Sequence, residues 1–297
     1  MSGARPYRAA MDLRPSAPAT VDGPTAAAPL LLSAPSLDGV GWELPGTFTV
    51  DRTDELVAFV RRWGFAVLRG VYAEEELTAL EAAMERAQAA LLAGELPSRC
   101  GTSVLDDPSA AVGGEPFAHY VCHITEVSDA ALRAATAPPL VAVMRQVLGP
   151  QAWLLDDDRF GVVYQDARPG EETYYSRIGW HSDHQSGPTL DIWPSLAFTI
   201  HIDATSPANG FLRVVPGSHR IGTGAMPLGF EPVPGEVAVY AARGDVIFHD
   251  ADLWHSAARA TDDPPLGVRR HLRGGYYGGA RLAPGHGVED FVKNAAR

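Results

Sequence analysis

The sequence predicts a mostly β fold, a barrel or sandwich, that follows a helical N-terminal part. From about Trp153 to Tyr277, short segments rich in Val, Ile, Tyr and Phe alternate with Gly, Pro and Asp turns. Strands at this spacing are typical of barrels and sandwiches. Before Trp153 the apolar residues recur with helical periodicity instead. The length of 297 residues would suit two average domains, but barrels of this size often form one.

The composition excludes several classes of partner. The chain has 24 Lys and Arg against 36 Asp and Glu, so its net charge is −12. Sequence-independent binding to nucleic acid or anionic membranes needs clustered Lys and Arg, and no apolar run approaches the roughly 20 residues of a membrane span. The two cysteines, Cys100 and Cys122, are too few for a disulfide scaffold and suit a reducing compartment. We therefore expect a cytoplasmic protein with no nucleic-acid or membrane partner.

Composition also predicts how the chain is divided. Residues 1–45 are rich in Ala, Pro and Ser without periodicity, which predicts an irregular N-terminal arm. We expect a single domain over 46–297, with helical support over about 46–150 and the barrel over about 151–280. The predicted barrel strands are Phe160–Gln165, Leu196–Asp203, Phe211–Val215, Glu236–Tyr240, Val246–His249 and Val268–Tyr277.

Three helices and one early strand are predicted ahead of the barrel. Thr53 suits the N-cap of the first helix, whose apolar residues recur at i, i+3, i+4 and i+7 until Gly64 ends the pattern. Phe65–Leu68 then has the composition of a short buried strand. Further helices are predicted from about Ala73 to Ala93 and from Pro139 to Leu148, the second with proline at its start.

Six of the ten histidines lie between residues 181 and 255. A His-x-Asp pair on one strand with a distant His is a common form of the 2-His-1-carboxylate site, which holds iron and leaves coordination positions open. The spacing matters because residues i and i+2 of a strand face the same side. Two such pairs occur, His181-Ser182-Asp183 and His201-Ile202-Asp203. Spacing alone leaves both open, and a hydrogen-bonded polar pair at a barrel mouth is the alternative for each.

The residues around these pairs supply the context that spacing lacks. Four ordered segments stand out: Trp63-Gly64-Phe65-Ala66-Val67-Leu68-Arg69-Gly70-Val71, Arg168-Pro169-Gly170 with Gly179-Trp180-His181-Ser182-Asp183-His184, Asn209-Gly210-Phe211-Leu212 with Val215-Pro216-Gly217-Ser218-His219, and Gly244–His249 with Trp254-His255-Ser256-Ala257. Together they resemble the phytanoyl-CoA dioxygenase-like family over roughly residues 45–280. The resemblance implies a double-stranded β-helix, a jelly-roll barrel supported by α-helices, and an iron(II)- and 2-oxoglutarate-dependent oxygenase.

The resemblance implies that His181, Asp183 and His255 bind the iron. It makes His201-Ile202-Asp203 a decoy, because only a few residues separate that pair from Asn209-Gly210 and leave no room for the intervening strands. His219 closes a structural turn and receives no metal role. For His249 we expect a place in a turn or in support of the ligands.

The co-substrate 2-oxoglutarate carries a distal carboxylate that needs a buried cation, and the planar guanidinium of arginine suits it. The family places this arginine on the strand after the distal histidine, where Arg269-Arg270 stands here. Alternation lets only one of the two point inward. Arg269 fits the family position, and Arg270 is the alternative. Alternation along Leu196–Asp203 puts Thr199, His201 and Asp203 on one face. If that face lines the barrel, Thr199 and His201 would contact 2-oxoglutarate or substrate; a supporting role is the alternative for His201.

The implied reaction uses iron(II), 2-oxoglutarate and oxygen, releases succinate and carbon dioxide, and hydroxylates a C–H bond of a small molecule. The carboxylate of Asp183 argues against halogenation. Desaturation, cyclisation, epoxidation and orthoester formation stay open, as do an isomerase or epimerase and a non-redox, cupin-like metal-binding protein. Usage heavy in Ala, Arg, Pro and Gly suggests a GC-rich bacterium, and for such a source the resemblance to the family implies secondary metabolism, such as antibiotic biosynthesis. The acidic charge favours a cationic or sugar-like substrate. Nothing in the sequence predicts the oligomeric state.

Overall fold

Two β-sheets face each other in the protein, and helices cover the outer side of the larger sheet. A computed structural model describes residues 46–101, 111–112, 115–156, 160–168, 178–183, 195–222, 224–257 and 267–280. The predicted arm over residues 1–45 lies outside the described residues. In the described part the architecture is the predicted double-stranded β-helix with supporting helices.

The described α-helices all precede the barrel strands. They are α1 (Thr53–Trp63), α2 (Glu74–Leu92), α3 (Ile124–Val127), α4 (Asp129–Ala135) and α5 (Pro138–Leu148). Three of them correspond to the predicted helices within one or two residues. The short α3 and α4 were not predicted, because four and seven residues are too few to show helical periodicity.

The described strands are numbered in chain order. They are β1 (Thr47–Thr49), β2 (Phe65–Arg69), β3 (Ala111–Val112), β4 (Glu115–Pro116), β5 (Tyr120–Val121), β6 (Trp153–Leu154), β7 (Val163–Ala167), β8 (Ile178–His181), β9 (Ser195–His201), β10 (Leu212–Val214), β11 (Val237–Val239), β12 (Val246–Asp250), β13 (His255–Ala257) and β14 (Arg269–Tyr277). Each of the six predicted barrel strands overlaps one of these. The start of β7 is displaced from its prediction by three residues.

The strand order is that of a jelly roll. The larger sheet runs β1-β2-β12-β9-β14-β7-β5, with β6 paired to β14, and the smaller sheet runs β11-β10-β13-β8. The barrel strands pair antiparallel throughout, whereas β1 joins the edge of the larger sheet parallel to β2. From β7 to β14 the chain alternates between the two sheets, except that β10 and β11 follow each other in the smaller sheet. This brings β8 and β13, far apart in sequence, side by side.

Alternation along β9 separates two environments. Leu196, Phe198 and Ile200 point outward and pack with α1, α2, α4 and α5 in the main hydrophobic core. Thr199 and His201 therefore point the other way, into the space between the sheets. Because residues directly paired across a ladder share a face, the partners of Thr199 and His201 on β12 and β14 also face inward. The register thus fixes which face of the larger sheet lines the interior of the barrel and could contact a ligand.

The junction between α1 and β2 is set by one glycine. Gly64 adopts φ = 84°, a left-handed conformation that favours glycine, and its N–H donates to the carbonyl oxygen of Val60 at 2.7 Å. The prediction that Thr53 caps α1 was wrong. Thr53 is the first helical residue, and its hydroxyl donates to the carbonyl oxygen of Val50, because the short 3₁₀ turn Val50–Arg52 leads directly into the helix.

A second apolar cluster joins the two sheets near the end of the barrel where β2 and β12 lie. It combines side chains of the larger sheet with side chains of the smaller one: Phe65, Val67, Val214, Val239, Ala241, Ile247 and Leu253. This cluster closes one side of the interior and leaves the side along β9 and β14 to polar residues. Within the described ranges, no helix is long and apolar enough to cross a membrane.

Candidate metal centre and cation pocket

Three predicted ligands meet where β8 ends and β13 begins. His181 is the last residue of β8, His255 is the first residue of β13, and the two are directly paired in the ladder. Asp183 follows in the turn after β8, where its backbone N–H donates to the carbonyl oxygen of Ala251 at 2.8 Å. One ligand atom from each of the three residues lies within 4.8 Å of the others. The structure therefore brings together all three predicted ligands.

The orientation of the two imidazoles is fixed by the backbone. Nδ1 of His181 donates to the carbonyl oxygen of Gly179, and Nδ1 of His255 donates to that of Leu253, both at 2.8 Å. A carbonyl oxygen can only accept, so the proton of each neutral ring is on Nδ1. The lone pair is then on Nε2, and both Nε2 atoms point toward the carboxylate of Asp183, at 3.8 Å and 3.5 Å. This is the tautomer that a metal requires.

A third imidazole supports the carboxylate. His249 on β12 is 8% exposed, and its Nε2 donates to Oδ2 of Asp183 at 3.1 Å. Its ring centre lies 4.4 Å from that of His255. His249 thus holds one oxygen of Asp183 while the other oxygen, Oδ1, faces His181 and His255. The expected supporting role of His249 agrees with this contact.

The cluster is charged in the way that metal ligands need. Burial and the nearby ring of His255 lower the pKa of His181 to about 4, so this ring is neutral at pH 7. Partial removal from water favours the neutral form of Asp183, but the rings of His255 and His249 outweigh that effect. The pKa of Asp183 therefore lies well below its usual range. Two imidazole Nε2 atoms and one carboxylate are the donors of the facial site that holds non-haem iron(II).

Deeper between the sheets lies a cation pocket, formed by Arg269 and His271 of β14 and His201 of β9. Arg269 is 5% exposed, and burial lowers its pKa to about 10, so the side chain remains a cation at pH 7. His271 pairs with His201 across the ladder, with ring centres 5.6 Å apart. Both rings are buried, and neither Nδ1 atom has a hydrogen-bond partner among the described residues. Buried polar atoms of this kind point to a polar ligand.

The structure separates Arg269 from Arg270. Arg270 points out of the barrel, where its guanidinium binds Asp203 at 2.8 Å and Glu85 of α2 at 3.0 Å. These hydrogen bonds, that to Asp203 foremost, raise the pKa of Arg270. Arg270 is therefore occupied on the outer surface, and Arg269 is the buried cation. The prediction that Asp203 shares a face with His201 was wrong, because β9 ends at His201 and the chain turns toward Arg270.

Sequence-based prediction missed an inward-facing residue beside Thr199. The ladder pairs Thr199 with Arg273 of β14. Arg269 lies four residues before Arg273 on the same strand. Alternation alone could have indicated this, since an inward Arg269 makes His271 and Arg273 face inward too. Thr199 consequently lies nearer to the guanidinium of Arg273 than to that of Arg269.

The remaining motif histidine has a structural position. His219 lies in the 3₁₀ turn Ser218–Arg220, which follows Gly217 at φ = 80°. Its ring packs against Gly64, where a Cβ would come within 2.6 Å of Nδ1. This agrees with the expected turn. Pro169, Gly170 and His184 of the predicted motif lie outside the described residues.

The two facing sheets and the convergent His–Asp–His donors at one end define a double-stranded β-helix protein with a candidate metal centre. The family model for phytanoyl-CoA dioxygenase (PhyH) matches residues 60–264, more than half of the chain. The chain belongs to this family. The match includes the three predicted ligands and ends shortly before Arg269.

Curated relatives and solved structures agree with this assignment. An ectoine dioxygenase of Bordetella parapertussis is 26% identical over 178 residues, 59% of this chain and 52% of that protein. One from Sphingopyxis alaskensis is 28% identical over 169 residues, 54% of this chain and 47% of that protein. The chain thus spans about half the length of the curated relatives it matches.

Among solved structures, the carbocyclase SnoK from nogalamycin biosynthesis, described as non-haem and α-ketoglutarate-dependent, is similar with a TM-score of 0.58. It is 21% identical, and the match covers 84% of this chain and 93% of that one. EctD from S. alaskensis with bound iron is similar with a TM-score of 0.56, 20% identity, and coverage of 80% and 79%. These likenesses support the fold.

Proposed function

We propose that this protein is an iron(II)- and 2-oxoglutarate-dependent oxygenase that hydroxylates a C–H bond of a small molecule. The observation that carries the proposal is the convergence of two Nε2 atoms and one carboxylate oxygen. Both imidazole protons are held on the opposite nitrogens by backbone carbonyl oxygens. That donor set suits iron(II) and leaves one face open.

The three ligands would bind the metal, and the cation pocket would bind the co-substrate. His181, Asp183 and His255 would hold iron(II), and His249 keeps Asp183 turned toward it. When bound, iron(II) with 2-oxoglutarate and oxygen supplies the oxidant for the C–H bond, with release of succinate and carbon dioxide.

Arg269 would hold the distal carboxylate of 2-oxoglutarate, because a buried guanidinium binds a planar carboxylate through two parallel hydrogen bonds. The free Nδ1 atoms of His201 and His271 lie on the same inner face and would add polar contacts. Thr199 would contact the co-substrate nearer the metal. The apolar cluster beside β2 and β12 excludes water from that side of the site.

The substrate is a small organic molecule, and we place the reaction in bacterial secondary metabolism. Support comes from the similarity to two enzymes of nogalamycin biosynthesis, one described as an epimerase and one as a carbocyclase, and to ectoine dioxygenases. The carboxylate of Asp183 occupies the position that a halide would need, so hydroxylation is preferred to halogenation. Cyclisation or epimerisation on the same scaffold would follow from a different pose of the substrate.

Aerobic incubation with iron(II), 2-oxoglutarate and candidate substrates tests the proposal through the succinate formed. We expect succinate from the wild type and none above background from His181→Ala. Iron affinity, measured by anaerobic equilibrium dialysis, should fall by more than about 100-fold in His181→Ala, since losing a ligand costs more than losing its support. His219→Ala is the matched control. Iron binding without succinate from any substrate would favour a non-redox metal-binding protein.

A further inference from the structure

Arg273 is a second guanidinium inside the barrel. It lies on β14 opposite Thr199 of β9 on one side and Val163 of β7 on the other. It is two positions from His271 and four positions from Arg269, so all three side chains leave the same face of the strand. Arg273 is only partly buried, in contrast to Arg269. It therefore borders a space that a ligand can enter.

Within the described ranges, the contacts of Arg273 leave its charge without an acidic partner. Its guanidinium carbon lies 5.7 Å above the ring centre of Tyr120, a cation–π contact that holds it in place. Among the described residues, no Asp or Glu forms an ion pair with it. The buried acid on β7, Asp166, faces the other side of the sheet, where it binds Arg168 at 2.7 Å. Arg270, the next arginine of β14, is in contrast fully engaged by acids.

Arg273 lies closer to the metal centre than Arg269 does. His249, which contacts Asp183, is paired through Ala197 with Gly275 of β14. Along β14, Arg273 is two residues from Gly275, or about 7 Å, whereas Arg269 is six residues away, or about 20 Å. Arg273 thus stands between the co-substrate pocket and the open end of the barrel.

Counted over the described residues, the charges of the loaded site leave one positive charge uncompensated. Iron(II) would bring two positive charges, and Arg269 and Arg273 bring one each. Asp183 brings one negative charge and 2-oxoglutarate two. His201 and His271 bring none, since burial lowers the pKa of His201 to about 3 and that of His271 well below its usual range. A singly charged group on the substrate would balance the site.

We propose that Arg273 binds a carboxylate of the organic substrate and so orients that substrate above the metal centre. This rests on the proposed function, which assigns Arg269 to 2-oxoglutarate. A carboxylate fits better than a phosphate, because a single guanidinium offers few donors and the uncompensated charge is single. The ring of Tyr120 keeps the guanidinium from folding back against the strand.

The first experiment separates the two arginines. 2-Oxoglutarate is titrated anaerobically into the iron(II) protein and followed by the visible absorption of a keto acid chelated to iron(II). We expect Arg269→Gln to weaken 2-oxoglutarate binding by more than about 30-fold and Arg273→Gln to change it by less than about threefold. If Arg273→Gln abolishes binding instead, Arg273 is the co-substrate cation and this inference is wrong. No absorption in the wild type would overturn the proposed function itself.

The second experiment uses acetate as the probe of the carboxylate site. The protein is loaded with zinc, a diamagnetic ion that takes the same ligands, and with 2-oxoglutarate. The Nε–Hε NMR signal of Arg273 is identified by its loss in Arg273→Lys. We expect acetate to shift this signal saturably and about tenfold more tightly than neutral acetamide does. Arg86→Gln, on the exposed face of α2, should leave the curves unchanged. Equal responses to both probes, or none, would overturn the inference.

Discussion

Replacing His249 tests whether the metal centre depends on the support of its carboxylate. The Nε2 atom of His249 donates to Oδ2 of Asp183 at 3.1 Å, and Asp183 bears a negative charge. A hydrogen bond to a charged group contributes about 1.5–3 kcal/mol. Its loss in His249→Leu should therefore weaken iron(II) binding about 10- to 100-fold, the range usual for residues that support metal ligands. Asp183 itself stays in place, so binding should be weakened rather than abolished.

Anaerobic equilibrium dialysis of iron(II) measures this affinity directly, without turnover. His249→Gln is the matched variant, because a glutamine amide can donate from nearly the same position as Nε2. We expect it to recover most of the affinity that the leucine variant loses. Thermal unfolding of the metal-free proteins controls for damage to β12. Unchanged iron affinity in His249→Leu, or equal losses in both variants, would refute the reasoning.

Three further predictions concern parts of the fold outside the metal centre. Arg270→Gln should leave 2-oxoglutarate affinity, measured by dialysis, unchanged. It should lower the free energy of unfolding, measured by urea denaturation, by about 1 kcal/mol, because it removes a partly exposed ion-pair network with Asp203. Gly64→Ala should destabilise by about 1–3 kcal/mol in the same denaturation assay, since the site has a positive φ and the new Cβ would clash with His219. His201 has a pKa of about 3 when folded and about 6.5 when unfolded, so below pH 6.5 only the unfolded chain is protonated there. His201 should therefore contribute a fall in stability of about 1.4 kcal/mol per pH unit below about 6, and His201→Gln should reduce the overall slope by that amount; an unchanged slope would contradict the buried, neutral ring.

Much of the fold was predictable because its signals are local. The α1 helix and its end at Gly64 follow from apolar periodicity and a residue that tolerates positive φ. The strand β9 follows from its composition, and its alternation correctly placed Thr199 and His201 on one face. The same alternation gave the wrong face for Asp203. The strand ends before this residue, and its carboxylate accepts a hydrogen bond from the guanidinium of Arg270 instead.

The candidate site was predictable to the extent that its spacing is local. His181 and Asp183 are two residues apart, but their meeting with His255 depends on the pairing of β8 with β13, which no local pattern encodes. The choice between Arg269 and Arg270 stayed open for the same reason. It depends on the register of β14 against β9, which the sequence before β14 does not encode. Partners across the fold then decide which guanidinium is buried.

The net charge of the chain and the charge on the inner face of β14 have opposite signs, and this bears on which ligands the site selects. The charge of −12 predicted a cationic substrate, but exposed charges are screened within a Debye length of about 8–10 Å at physiological salt. Buried charges are screened far less, and the inner face of β14 contributes Arg269 and Arg273. The acidic surface can therefore affect how fast a charged molecule approaches, whereas the two arginines determine which charge is stable inside. On this reasoning an anionic substrate should bind more slowly at low salt and yet bind tightly, so raising the salt concentration should increase its association rate.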